Sequence, residues 1–125
     1  MKIRFRRLHH VQLTIPAGAE EAAREFYGGL LGLEEIEKPE ALKARGGLWF
    51  QMADVQLHLG VEEAQTRSKR HPAFEVEEVD AVKEYLRKRG VALRDEVEVP
   101  GVRRFSFFDP FGNRVELMQT TGEIY

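Results

Sequence analysis

The sequence predicts an α+β domain built from two βαβββ modules, and three observations predict it. Apolar residues alternate in some segments and recur at spacings of three and four in others, the marks of half-buried strands and amphipathic helices. The order of these segments repeats, with strand, helix, strand, strand, strand read twice along the chain. Finally, 125 residues of which 42% are hydrophobic suffice for one compact core, since a domain of this size buries roughly two thirds of its unfolded surface. The expected organisation is a single domain over 1–125, with module one at about 1–61, a connector at 62–70, module two at 71–119 and a short tail at 120–125.

Module one opens with a strand at 8–15, where Val11, Leu13 and Ile15 alternate with His10, Gln12 and Thr14. Pro16, Ala17 and Gly18 break it. Over 19–31, Ala22, Ala23, Phe26, Tyr27, Leu30 and Leu31 form one stripe of a helix that Gly32 can stop. A short strand at 33–38 follows, then a helical turn that Pro39 can open and Gly46 and Gly47 can close. Strands over 48–52 and 55–61 are separated by Ala53 and Asp54, a spacing short enough for a hairpin. Residues 62–70 are polar and aperiodic, with Thr66 and Ser68 among mixed charges, and read as the connector. Module two repeats the order: a strand at 71–76, a helix at 79–89 with Val79, Val82, Tyr85 and Leu86 on one stripe, then Gly90, then strands at 91–99, 103–108 and 114–119. Pro100 with Gly101, and 109–113, supply the turns.

Charge and composition exclude several classes. Nineteen Lys and Arg against 21 Asp and Glu give no basic excess of the kind nucleic-acid and membrane-surface binders carry, so neither partner is expected. There is no cysteine, so disulfides, thiolate metal sites and Cys nucleophiles are ruled out and any metal must be held by nitrogen and oxygen. The basic start (Lys2, Arg4, Arg6, Arg7) lacks the apolar run of a signal peptide, and no apolar stretch approaches the roughly 20 residues of a membrane span. A cytoplasmic protein is expected. The basic start is read as a solvated strand edge protected by charge rather than as a contact for an acidic partner.

Corresponding positions in the two modules carry the candidate chemistry. His10 and His71 lie on the opening strands, His58 and Glu116 on the closing ones. Alternation puts all four away from the apolar side, which holds equally for solvated side chains. Their joint placement favours a divalent transition metal, with Zn, Ni, Mn and Fe all suited to imidazole and carboxylate. His58 is open as a fourth ligand, a hydrogen-bond partner of a ligand, or a surface residue. His9 is expected to point away from His10 and to be structural. Trp49 and Gln51, alternating with Leu48, Phe50 and Met52, can line the same cavity, as can Gln12. Arg94, Arg103 and Arg104 can bind an anion, but are read as solubilising. Asp109, Gly112 and Asn113 are read as turn formers, and periodicity leaves the facing of Phe105, Phe107 and Phe108 undecided.

Leu8-His9-His10-Val11, Phe26-Tyr27 followed by Leu31-Gly32-Leu33, and above all the run from Phe108 through Asp109-Pro110-Phe111-Gly112-Asn113 to Leu117 resemble the vicinal oxygen chelate superfamily, the glyoxalase, bleomycin-resistance and dioxygenase group, over nearly the whole chain. The resemblance implies curved mixed sheets around a pocket, helices on the outer faces, a homodimer, and a metal held by His10, His71 and Glu116. His58 stands where bacterial glyoxalase I has a Glu. The implied activity is that of a metalloenzyme of the isomerase or lyase type on a small-molecule substrate, the ion acting as a Lewis acid and Glu116, as catalytic residue, or a metal-bound water moving the proton. The alternatives are a metal-free binding protein like those of bleomycin resistance, and thiol transfer to an epoxide as in fosfomycin resistance.

Overall fold

The computed structural model of the chain describes residues 1–63 and 68–121. Parts of the expected connector, Thr66 included, and of the expected tail lie outside the described residues. The chain divides into two compact units, Met1–Gln65 and Thr66–Tyr125.

In the first unit, β1 (His10–Ile15) leads into a helix, α1 (Glu20–Ala23), that continues as wider π-helical turns over Arg24–Leu30. Strand β2 (Glu34–Ile36), a 3₁₀ segment (Glu40–Arg45), β3 (Leu48–Met52) and β4 (Val55–Val61) complete it. The second unit runs β5 (Ala73–Glu75), α2 (Val79–Lys88), β6 (Leu93–Asp95), β7 (Val102–Phe108) and β8 (Arg114–Thr120). The sheets have the same order, β1-β4-β3-β2 and β5-β8-β7-β6. In each, the opening strand runs parallel to the closing one and the remaining pairs are antiparallel. The duplicated βαβββ plan is therefore present, in the mixed sheets the sequence predicts.

The register is duplicated as well. His58 pairs with Gln12, two residues after His10, and Glu116 pairs with Ala73, two residues after His71. On β3 the partner of His58 is Trp49, and on β7 the partner of Glu116 is Ser106.

Each sheet buries one face. Leu48, Phe50, Leu57, Leu59 and Ile15 are buried in the first, and Tyr27 from the helical segment sets its ring 6.2 Å from that of Phe50. The second buries Phe105, Phe107, Val115 and Leu117 beside Val79 and Leu86 of α2, which settles the facing of Phe105 and Phe107. Alternation then leaves the polar residues on the opposite face of each sheet. One glycine is dictated by close approach: Gly47 has φ 85°, and a Cβ there would lie 2.1 Å from the Leu59 carbonyl oxygen.

Departures from expectation have local causes. The helix expected over 19–31 widens at its second half, where Leu31 N–H reaches back five residues to Phe26 O, 3.0 Å; Gly28 and Gly29 fall within that stretch and relax the backbone constraint. The outer strands are shorter than their apolar patterns. Residues 91–99 yield only β6 with an isolated bridge from Val99 to Val102, and His71 and Pro72 precede β5, although the Pro72 carbonyl still accepts the Glu116 N–H at 3.0 Å. The turn reading of Asp109 holds: its Oδ1 accepts N–H bonds from Phe111 and Asn113 at 2.9 and 2.8 Å. Among the described residues, no helix is long and apolar enough to cross a membrane.

Candidate functional site

On the first sheet, the polar face carries His10, Gln12, Trp49, Gln51, Gln56 and His58, all in matching register. His58 is 5% exposed, sandwiched between the Trp49 ring (centroids 3.8 Å, planes 2° apart) and the His10 ring (4.2 Å, 15°). Its Nε2 lies 2.9 Å from Gln56 Oε1, and because an amide oxygen can only accept, Nε2 carries the proton. Burial pushes the His58 pKa down to about 4, with the nearby His10, His9 and Lys38 adding to the shift. His58 is thus neutral near pH 7. The Gln12 side chain lies across Gly60, where a Cβ would meet its Nε2 at 2.8 Å. Gln51 is committed to the hairpin, its Nε2 donating to Ala53 O and Val55 O at 2.8 and 3.2 Å.

His9 departs from its expected orientation. Its Nδ1 approaches His10 Nδ1 at 3.1 Å, because β1 begins only at His10 and strand alternation does not reach the preceding residue.

In the second unit, Glu116 is 3% exposed. One oxygen, Oε1, lies 3.2 Å from His71 Nε2 and 3.3 Å from Arg104 Nη1. Arg104 is braced by Nη2 donating to Val97 O at 2.9 Å. His71 Nδ1 lies 2.8 Å from Lys69 O, so Nδ1 is the donor and the ring is held by its far side. Beside this, Glu96 accepts from the buried Ser106 hydroxyl and from Arg114 Nη2, the latter at 2.8 Å. These two bonds, the Ser106 bond first, hold the Glu96 pKa below the usual carboxylate range.

Sequence reading missed Arg104 as a site residue and missed Glu96, Ser106 and Arg114 altogether. Arg104, Ser106, Arg114 and Glu116 sit at period two across one hairpin, a pattern open to the eye. Glu96 comes from the segment between β6 and the bridge at Val99, and no periodicity marks it. Arg103 instead pairs with Asp80 at 2.9 Å on the exposed surface.

One pair of donors has the spacing of two ligands on a divalent ion. Two ligand atoms sharing one ion at about 2.0–2.2 Å stand roughly 2.9–3.5 Å apart, and His71 Nε2 and Glu116 Oε1 are 3.2 Å apart. With the proton of neutral His71 on Nδ1, two lone pairs face each other across that gap, an arrangement that a shared cation or proton relieves. The Nδ1 bond to a backbone carbonyl is the customary support of a metal-binding histidine. Among the described residues of this unit, no third His, Asp or Glu joins the pair.

Residues 7–117 match the model of the Glyoxalase/Bleomycin resistance protein/Dioxygenase superfamily. The chain belongs to this superfamily. Among solved structures, a glyoxalase family protein from Bacillus anthracis is 46% identical with a TM-score of 0.91, the match covering 97% of this chain and 100% of that one. The fosfomycin resistance protein FosX from Listeria monocytogenes, solved with Mn(II) and sulfate, is 25% identical (TM-score 0.74, 96% and 94% covered). TnmS3, an antibiotic binding protein from Streptomyces sp. CB03234, shares the glyoxalase-type fold at 23% identity (TM-score 0.73, 96% and 100% covered). No curated protein matches the chain. Solved proteins of this fold thus include both a resistance protein holding Mn(II) and an antibiotic binding protein.

Proposed function

We propose that the chain is a glyoxalase-like metalloenzyme that carries out isomerase- or lyase-type chemistry on a small molecule. The observation that carries this reading is the 3.2 Å approach of His71 Nε2 to Glu116 Oε1, with His71 Nδ1 anchored on the Lys69 carbonyl. His71 and Glu116 are two ligands of a divalent transition ion, and the family resemblance implies His10 as a third. The ion, when bound, supplies Lewis acidity toward substrate oxygens. Arg104 holds the Glu116 carboxylate in place through Oε1, and Glu116 is the group that takes and returns the substrate proton. His58, neutral and held by its Nε2–H on Gln56, is a stacked support for His10. Trp49 and Gln12 line the first unit's polar face for substrate. The Mn(II) in the FosX structure supports a metal in this superfamily. The test is elemental analysis of untagged protein equilibrated with Zn, Ni, Mn or Fe and then desalted. Near-stoichiometric metal in the parent and its loss in His71→Ala is the expected result, and equal retention by parent and variant overturns the reading.

A second reading has one observation in its favour. The ladder of Trp49, His58 and His10 rings is a flat platform for an aromatic ligand, as a metal-free binding protein would use. Quenching of Trp49, the one tryptophan of the chain, by a planar ligand, undiminished by chelator and by His71→Ala, would favour it.

A further inference from the structure

His9 was expected to be structural, yet its ring meets His10 edge-on, with centroids 5.3 Å apart and planes at 90°. The two Nδ1 atoms are 3.1 Å apart. Two ring nitrogens at that distance share one proton, so one imidazole donates and the other accepts. The backbone of His9 is fixed for this contact, since its carbonyl accepts the Gln56 N–H at 3.0 Å. The opposite flank of His10 is fixed too, by the stack on His58.

The direction of the proton is assigned by analogy with the equivalent place in the second unit. His10 and His71 occupy equivalent places, each two residues before the partner of the closing-strand residue. At His71 the partner of Nδ1 is a carbonyl, so Nδ1 must be the donor. We infer that His9 is a positioning residue for His10: its Nδ1 accepts the His10 Nδ1–H, which fixes the His10 tautomer with a bare Nε2 available to an ion. The first unit reaches with a side chain the state the second reaches with a backbone carbonyl. Supports of this kind, holding the far nitrogen of a ligand histidine, tune metal affinity by about 10- to 100-fold. The purpose assigned to the tautomer rests on the metal reading proposed above; the tautomer itself does not.

The experiment is a two-bond ¹H–¹⁵N spectrum of histidine-labelled, metal-free protein above the histidine titration range, which reports the nitrogen carrying each proton. In the parent, His10 is expected to be protonated on Nδ1. In His9→Ala, His10 shifts to the Nε2–H form, and His9→Asn, whose amide oxygen is an acceptor, restores Nδ1–H. Backbone amide signals unchanged outside His9 and its neighbours show that the variants keep the fold. Zn(II) affinity by calorimetry falls about tenfold in His9→Ala. A parent His10 protonated on Nε2, or a tautomer unmoved by His9→Ala, overturns the inference. If the tautomers behave as stated while Zn(II) fails to bind the parent, the positioning role stands and the metal reading falls.

Discussion

At matching places in the two sheets, the first unit stacks two imidazoles and an indole, whereas the second sets an imidazole and a guanidinium against a carboxylate. The backbones that present them are alike in strand order and register. The difference at the paired positions therefore lies mainly in the side chains. Trp49 covers His58, desolvates it and leaves it neutral, while the corresponding Ser106 is small enough to be fully buried beside Glu116 and to donate to Glu96. A bulky neighbour makes a passive histidine; a small one leaves room for a charged cluster. One fold plan thus yields a support in one unit and a ligand pair in the other.

Changes that break this contrast should have graded effects. The largest is expected for Glu116→Ala, which leaves the mostly buried Arg104 guanidinium without its carboxylate; stability measured by urea unfolding should fall by about 3 kcal/mol, the usual cost of stripping one partner from a buried pair. Trp49→Ser makes the first unit resemble the second. Loss of the half-buried indole should cost about 2 kcal/mol, and the His58 pKa, followed by NMR, should climb back toward 6.5 as water reaches the ring.

A pH effect comes next. The folded His58 pKa of about 4 lies below the ordinary imidazole value of 6.5, so on acidification the unfolded state takes up the proton first. The contribution of His58 to stability is whole above pH 6.5 and is lost as the pH falls toward 4. Unfolding midpoints across that window should decline in the parent, and by less in His58→Gln. The smallest effect is expected away from both polar faces. Lys83 and Asp95 are both exposed, and Lys83→Ala should change stability by under about 1 kcal/mol.

How much of this was open to the sequence depended on how each residue is placed. His10, His58 and Glu116 sit within strands, where a period of two fixes the face; the repeated order of elements likewise exposed the duplication. His9 escaped because it precedes the first paired residue. Gln51 looked like a cavity residue by parity, although the hairpin uses its amide nitrogen. Glu96 reaches the cluster from a segment without periodicity, and only the folded chain brings it to Ser106 and Arg114. The shortness of β5 and β6, three residues each, is not recorded in their apolar patterns, which mark buried positions and not backbone pairing.

The most direct measurement is a Zn(II) titration of histidine-labelled protein followed by ¹H–¹⁵N spectra, which sees every imidazole at once. His71 Nε2 should move to a coordinated position at one equivalent, and His58 should keep its Nε2–H against Gln56. Coordination at His58 with His71 unmoved, or no movement of any histidine, would contradict the assignment of the ligand pair to His71 and Glu116.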